Sequence, residues 1–222
     1  HVTFLLDSPD GDQGYPGALD MKVTYTLDEE NGLTIHYEAV PDQDTVINMT
    51  NHSYFNLNGH KSGSVLHHRM QLLSDAFTPA DAQSIPTGEV CSVDGTPMDF
   101  RSTKELGAEI DAAYEPLILG NGYDHNWVLK NEGRFDKVAE VTGDESGIVM
   151  EVWTDRPGVQ VYTANFLENE AGRNGAVYQK RDAVCLETQN YPDAVHQKNF
   201  PEAICKKGET YDTKTAYRFH IE

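Results

Sequence analysis

Amide, imidazole and aromatic side chains interleave within one short segment of this chain, Asn48–Leu57 (NMTNHSYFNL). Aromatic faces stack on the C–H face of a sugar ring, and amide or imidazole groups hydrogen-bond to its hydroxyls. The segment is therefore a candidate sugar-binding surface that includes Asn51, His52 and Tyr54. For His52, the pattern alone favours a histidine whose hydrogen bonds are satisfied in the core over a catalytic one.

Two further segments place a carboxylate beside an apolar strand. Gly120–Leu129 (GNGYDHNWVL) carries Asp124, whose carboxylate could bind hydroxyls or could cap an Asx-turn. Val184–Asp193 (VCLETQNYPD) carries Glu187 at the end of an apolar strand that is expected to be buried. Burying a carboxylate is costly unless it is paired or functional. The pattern leaves the role of Asp124 open and favours a functional role for Glu187.

Common nucleotide, metal and serine-hydrolase motifs do not occur in the sequence: there is no GxxxxGK[ST], GxGxxG, HExxH or GxSxG. The three cysteines, Cys91, Cys185 and Cys205, are odd in number and lack CxxC spacing. They argue against a disulfide framework and a structural zinc site. His67 and His68 would point to opposite faces of a strand, so we interpret both as surface histidines. The sequence thus predicts no metal site.

Charge is the one extreme of composition. The 222 residues include 17 basic and 36 acidic ones, for a formal net charge of −19. Such a surface repels phosphate backbones and anionic lipids, which argues against nucleic-acid and membrane partners. The chain shows no apolar run of the ~18 residues that span a bilayer and no basic-then-apolar signal segment. With cysteines that look unpaired, these features predict a cytoplasmic location.

Strand signals dominate the rest of the chain. Met21–Leu27 and Leu33–Val40 alternate apolar and polar residues around a polar turn at residues 28–32, which predicts a hairpin. A capping box of Ser102 with Glu105 predicts a short helix that ends near Ala113. Further strands are predicted at His1–Leu6, Thr45–Thr50, Leu66–Leu73, Asn126–Lys130, Lys137–Val141, Ile148–Thr154, Gln160–Phe166, Ala183–Glu187 and Thr215–Ile221.

Many short strands with few helices predict an all-β fold in which antiparallel sheets form a sandwich or barrel. The chain contains no internal repeat, no low-complexity tract and no linker rich in serine, glycine and proline. We therefore expect residues 1–222 to form one domain.

An ordered set of motifs resembles the aldose 1-epimerase (galactose mutarotase) family. The signature is NHSYFNL at residues 51–57, and the match runs collinearly from about Val2 to Tyr217. Each motif is modest alone, but the ordered set is specific. The others are SPDGDQGYPG (8–17), FTP (77–79), IPTGE (85–89), GTPMDFR (95–101), GYDHNWVL (122–129), RPGVQVYTANF (156–166), CLETQNYPDA (185–194) and NFP (199–201).

This resemblance implies a large antiparallel β-sandwich that interconverts the α and β anomers of hexoses such as galactose and glucose without a cofactor. By motif, Glu187 would be the base that takes the proton from the C1 hydroxyl. His52 would be the acid that protonates the ring oxygen. The implied substrate-binding residues are Asp124, Gln160, Asn51 and Tyr54.

The sequence departs from the family at its beginning. Family members carry an upstream portion with further strands, an arginine in a GR-x-x-NR-like motif and a second active-site histidine in an LHGG-like motif. Neither motif occurs here. The resemblance therefore implies the C-terminal part of a mutarotase, a single sandwich domain whose upstream strands lie in a missing N-terminal segment or a second chain.

Two alternatives remain at this point. One is a non-catalytic sugar-binding β-sandwich remnant of the same family. The other is a glycosidase that uses Asp124 and Glu187 as paired carboxylates.

Overall fold

The computed structural model describes all residues, His1–Glu222, and is built almost entirely of antiparallel strands. Helical structure is limited to α1 (Glu115–Leu119) and 3-10 turns at Asp12–Gly14, Arg173–Gly175 and Ala194–His196. The strands are β1 (Val2–Ser8), β2 (Leu19–Leu27), β3 (Gly32–Pro41), β4 (Thr45–Val46), β5 (Arg69–Leu72), β6 (Ala76–Thr78), β7 (Cys91–Ser92), β8 (Lys104–Glu105), β9 (Asp124–Val128), β10 (Asp136–Thr142), β11 (Ile148–Thr154), β12 (Gly158–Tyr162), β13 (Glu170–Ala171), β14 (Val177–Tyr178), β15 (Cys185–Gln189), β16 (Ile204–Cys205) and β17 (Tyr211–Ile221).

Two large sheets pack against each other. One has eight strands in the order β1-β2-β3-β17-β11-β10-β5-β8, and the other has five in the order β15-β12-β9-β6-β7. A core of 30 buried residues draws Tyr37 and Val152 from the first sheet and Trp127 and Leu186 from the second. The Tyr217 hydroxyl donates a hydrogen bond to the Leu186 carbonyl, 3.0 Å away, and so links the two layers. The predicted all-β sandwich is confirmed. The pairs β13–β14 and β4–β16 form small ribbons.

The five-stranded sheet has one apolar face and one polar face. Residues directly opposite on paired antiparallel strands share a face, and one such row runs Thr188–Val159–Trp127–Phe77 on the core side. The neighbouring row, displaced by one residue along each strand, points the other way. It consists of Glu187, Gln160, Asn126 and Thr78. The sheet thereby gathers polar residues that lie far apart in sequence.

The predicted hairpin at residues 28–32 is confirmed by β2 and β3, which pair from Leu19–Pro41 to Leu27–Leu33. The Asp28 carboxylate closes the turn by accepting hydrogen bonds from the backbone N–H groups of Glu30 at 2.9 Å and Gly32 at 2.7 Å. The other predicted strands overlap observed ones, with boundaries that move by a few residues. Ile148–Thr154 is matched from end to end.

The predicted helix from Ser102 to Ala113 is wrong. Lys104 and Glu105 instead form the edge strand β8, which pairs with β5. The Leu106 and Gly107 N–H groups donate to the carbonyls of His68 and Leu66, at 2.9 and 2.7 Å. Pairing with a distant strand therefore overrides the local capping signal. The α-helix that does form begins just beyond this segment, with Glu115 in its first turn and Pro116 beside it.

Replacing Gly107 by Ala should destabilise the protein by about 1–3 kcal/mol. A Cβ at this position would lie 2.9 Å from both the Cβ and the carbonyl oxygen of Leu66. Replacing the exposed Ala108 by Gly should be nearly neutral. The helix interpretation predicts the opposite ranking, because Ala favours and Gly disfavours a helix. Urea denaturation of the two variants decides between these structures.

His67 and His68 do point to opposite sides, but only His67 lies on the surface. His68 is fully buried, which makes its interpretation as a surface histidine wrong. Its Nε2 accepts a hydrogen bond from the Leu57 N–H at 3.0 Å, and its Nδ1 lies 2.9 Å from the Asp144 carboxylate. Burial lowers the pKa of His68 against the opposing effect of Asp144. A neutral ring that donates through Nδ1 satisfies both contacts.

No helix of the structure combines the length and the apolar character that crossing a membrane requires.

Candidate active site

Glu187 lies in the middle of β15, on the polar face of the five-stranded sheet. The alternation of CLETQ turns Leu186 towards the core and leaves Cys185 and Glu187 on the opposite face. Glu187 is only 8% exposed, and its strand partner on β12 is Gln160. A rigid strand therefore fixes the position of a buried carboxylate.

His52 reaches Glu187 because its segment is tied to the chain just before β15. Phe55 and Val184 exchange two backbone hydrogen bonds, each 2.9 Å long. This bridge sets His52 Nε2 3.3 Å from Glu187 Oε1. The side chain of His52 is 49% exposed while that of Glu187 is 10% exposed. The pair thus combines a buried carboxylate with an imidazole that faces solvent.

Two tyrosines frame the imidazole. The Tyr54 ring stacks on His52, with centroids 5.0 Å apart and planes 23° apart. The Tyr162 ring meets His52 edge-on at 6.0 Å and Tyr54 at 6.2 Å. Burial raises the pKa of Tyr54 to about 12, with smaller contributions from nearby acidic groups. Its phenol therefore remains a neutral hydrogen-bond donor beside an aromatic face, and both suit a sugar.

Asn51 holds the loop that carries His52. Its Oδ1 accepts a hydrogen bond from the Ser53 N–H at 3.1 Å, and its Nδ2 donates to the Tyr25 hydroxyl at 3.3 Å. Thr50 adds a bond from its hydroxyl to the Thr188 carbonyl at 3.0 Å. These contacts fix the side chain of Asn51 and stabilise the loop that carries His52. The predicted contact of Asn51 with a sugar stays a prediction.

His68 holds the C-terminal end of the segment Asn48–Leu57, because its Nε2 accepts a hydrogen bond from the Leu57 N–H. Asn56 donates to the carbonyls of Gly63 at 2.7 Å and Asp182 at 3.0 Å. Sequence reasoning missed His68 as a residue that holds the His52 segment in place. Its position next to a second histidine, directly before an apolar alternation, gave no sign of burial.

Asp124 and Gln160 lie on the same face as Glu187. Gln160 Nε2 donates to Asp124 Oδ1 at 2.8 Å, while Gln160 Oε1 is buried with no hydrogen-bond partner in the protein. Such an acceptor is costly to leave unpaired, and a ligand hydroxyl can satisfy it. The two residues predicted to hold sugar hydroxyls are thus in contact with each other: Gln160 lies on β12, next to the Glu187 strand, and Asp124 lies on β9, one strand further along the sheet.

Burial shifts the protonation of both carboxylates. It raises the pKa of Glu187 to about 7, with the His52 charge opposing the rise and Asp124 adding to it. Burial also raises the pKa of Asp124, against the hydrogen bond from Gln160 and the charge of His52. A carboxylate that titrates near neutral pH can take up and release a proton during turnover.

Comparison with known proteins identifies the family of this chain. The sequence model of the family described as Aldose 1-epimerase matches residues 1–218. The chain belongs to the aldose 1-epimerase family. The resemblance indicated by the sequence motifs is thereby confirmed.

Characterised relatives extend beyond the aligned region. The galactose mutarotase of Homo sapiens is 46% identical over 221 residues, which cover 99% of this chain and 63% of that protein. The aldose 1-epimerase of Escherichia coli (strain K12) is 38% identical over 224 residues, which cover 100% of this chain and 64% of that protein. The chain therefore spans slightly less than two thirds of the length of these relatives.

Solved structures of the same family share the fold. The GalM/aldose epimerase homologue from C. elegans superposes with a TM-score of 0.89 at 27% identity, covering 99% of this chain and 65% of that one. Galactose 1-epimerase from Lactobacillus acidophilus gives a TM-score of 0.85 at 27% identity, covering 99% and 62%. The sandwich of this chain thus superposes on about two thirds of each of these two structures.

Three side chains of types that can bind a metal ion lie together at this candidate site. The ligand atoms of His52, Cys185 and Glu187 all lie within 4.8 Å of one another. The spacing of the cysteines could not indicate this group, because two of its members come from one strand and the third comes from a loop more than 130 residues earlier.

Proposed function

We propose that this chain interconverts the α and β anomers of aldohexoses such as galactose and glucose. The observation that carries the proposal is the contact of 3.3 Å between the His52 imidazole and the buried Glu187 carboxylate. In a cyclic sugar, the C1 hydroxyl oxygen and the ring oxygen are both bonded to C1. An acid and a base that act on these two oxygens must therefore lie side by side, as His52 and Glu187 do.

In the proposed reaction, Glu187 takes the proton of the C1 hydroxyl while His52 gives a proton to the ring oxygen. The bond between C1 and the ring oxygen breaks, which leaves an open-chain aldehyde. Rotation about C1–C2 presents the other face of the aldehyde. On ring closure Glu187 gives its proton to the aldehyde oxygen and His52 takes the proton of the C5 hydroxyl, so both residues return to their starting state. Proton transfer between positioned groups supplies typically 10²–10⁴-fold of rate, and this scheme requires no cofactor.

The substrate would be held by the polar face and its aromatic rim. We propose that Asp124 and Gln160 bind sugar hydroxyls, since their side chains are already joined at 2.8 Å and Gln160 retains a free acceptor. The half-exposed Tyr54 would stack on the apolar face of the ring. Asn51 would contribute by holding the His52 loop, and by contact with the sugar once it is bound.

We also propose that residues 1–222 behave as one domain. The support is the single core of 30 buried residues shared by both large sheets. We therefore expect one cooperative transition on thermal unfolding, with far- and near-ultraviolet circular dichroism changing together.

The test is the optical rotation of fresh α-D-galactose and α-D-glucose, followed with the chain and in buffer alone. A first-order decay faster than in buffer supports the proposal, and no rate above buffer contradicts it for this chain. The alternative, a sugar-binding sandwich without turnover, predicts that galactose binds by calorimetry while the rotation decays at the buffer rate.

The pH profile provides a second prediction. Since the base must be unprotonated, kcat/KM should fall as the pH drops below about 7, the pKa to which burial raises Glu187. Well below that midpoint the loss should approach about tenfold per pH unit. Polarimetry corrected for buffer catalysis measures the profile.

Asp124→Asn provides the control for this assignment. It removes a negative charge that raises the pKa of Glu187, so the midpoint should move to lower pH. A wild-type midpoint near 4.5, the ordinary pKa for glutamate, would contradict the rise in the Glu187 pKa that is attributed to burial.

A further inference from the structure

The proposed reaction leaves one buried nucleophile at the site without a role. Cys185 precedes Glu187 by two residues on β15, so both side chains leave the same face of the sheet. Cys185 has no exposed surface, and its pKa is raised, first by burial and then by Glu187 and Asp124. Its Sγ, one ring nitrogen of His52 and a Glu187 carboxylate oxygen lie within 4.8 Å of one another.

The spacing of these atoms is close to that of ligands around a tetrahedral metal ion. Bonds of about 2.0–2.3 Å to zinc place neighbouring ligand atoms roughly 3.4–3.6 Å apart. His52 Nε2 and Glu187 Oε1 are already 3.3 Å apart. The ring nitrogen of His52 and the Cys185 Sγ are at most 4.8 Å apart. The sheet holds the two β15 residues in place, so rotation of the half-exposed His52 ring would bring its nitrogen to bonding distance from the ion.

We propose that Zn²⁺ binds to His52, Cys185 and Glu187 and thereby inhibits the enzyme. A thiolate, an imidazole and a carboxylate together suit zinc, whereas magnesium and calcium prefer oxygen ligands alone. Three protein ligands leave a fourth position for water. Binding replaces the thiol proton by a metal–sulfur bond and releases that proton to solvent.

The charge of the site favours a cation. Two carboxylates, Glu187 and Asp124, lie on the same face of the sheet, and His52 is the one basic side chain that pairs with Glu187. The chain as a whole carries a formal net charge of −19. The net negative charge of the chain therefore attracts a cation from solution, and the carboxylates of the site stabilise it once it is bound.

Inhibition would follow from the loss of both proton-transferring atoms. A zinc ion bonded to His52 Nε2 and to the Glu187 carboxylate occupies the lone pairs that would accept protons. This inhibition rests on the proposed function, but the binding does not. The metal would thus act as an inhibitor, in contrast to a resident cofactor.

Cobalt(II) provides a probe that does not depend on activity. The reduced, metal-free chain is titrated with CoCl₂ and then with ZnCl₂, and the absorption spectrum is recorded. We expect one equivalent of cobalt to give visible bands of a four-coordinate ion and a near-ultraviolet thiolate-to-cobalt band. ZnCl₂ should abolish both, and Cys185→Ser should lack the thiolate band.

The other two cysteines supply the matched control. The double variant Cys91→Ser/Cys205→Ser keeps Cys185 as its one thiol and must retain the thiolate band. A wild type without the band, a folded Cys185→Ser variant with it, or its loss in the double variant would overturn the proposal. If Cys185→Ser does not fold, the double variant decides the result.

Zinc inhibition is measured separately by polarimetry. The zinc concentration for half-inhibition should match in wild type and the Cys91→Ser/Cys205→Ser variant and rise at least about tenfold in Cys185→Ser, since one ligand is lost. Equal sensitivity of Cys185→Ser would contradict the assignment. A chain that shows the cobalt spectrum without mutarotation would refute the proposed function and leave the metal site standing.

Discussion

Replacing Glu187 by Gln is expected to lower the rate of mutarotation at least about 10²-fold, as removal of a general base does. Gln keeps the size of the side chain and its position on β15, but its amide cannot take the proton of the C1 hydroxyl. The rate is measured from the optical rotation of fresh α-D-galactose at several sugar concentrations. The loss should fall on kcat, because the proposed sugar-binding residues Asp124 and Gln160 are unchanged in this variant.

The chain contains a chemically matched control. Glu105 pairs with His67 at 3.1 Å, as Glu187 pairs with His52, but both control residues are exposed on the edge of the other sheet. Glu105→Gln should leave the rate unchanged. An active wild type whose Glu187→Gln variant keeps a similar rate would show that Glu187 is not the base.

The thermal stability of the Glu187→Gln variant shows whether a lower rate comes from loss of the base or from unfolding of the protein. The folded pKa of Glu187 is raised from 4.5 to about 7, so burial of the charged form costs stability as the pH rises through that range. Gln carries no charge and avoids this cost. The Glu187→Gln variant should therefore melt no earlier than wild type at pH 8, which thermal denaturation monitored by circular dichroism can establish.

Local patterns predicted most of the strands because alternation has the period of a strand wherever one face is buried. They failed at residues 102–113, where a capping box was present but the backbone pairs with β5. A two-residue strand such as β8 carries no periodic signal of its own. Its existence depends on Leu66 and His68, which lie more than 30 residues earlier.

The sequence pattern likewise indicates some features of the candidate site and not others. Glu187 could be identified because a carboxylate follows an apolar run, and His52 because amides and aromatic residues surround it. Their contact could not be read from pattern, since it depends on the bridge between Phe55 and Val184. The number and spacing of the cysteines say nothing of the place of Cys185, although strand alternation alone puts it on the Glu187 face.

Replacing His52 by Ala should also lower the rate at least about 10²-fold, since His52 is the proposed acid that protonates the ring oxygen. The more informative variant combines His52→Ala with Glu187→Gln. Groups that act in one concerted proton transfer give losses that do not multiply. The double variant should therefore be no more than about tenfold slower than Glu187→Gln alone.

Polarimetry of the four proteins of this cycle provides the measurement, and His67→Ala with Glu105→Gln provides the control cycle. Losses that multiply to about 10⁴-fold would mean that the two residues act in separate steps. The contact of 3.3 Å argues against such independence, because a proton that leaves one residue changes the charge felt by the other. Coupling at the site and its absence in the exposed His67–Glu105 pair would together assign the acid and the base to one reaction step.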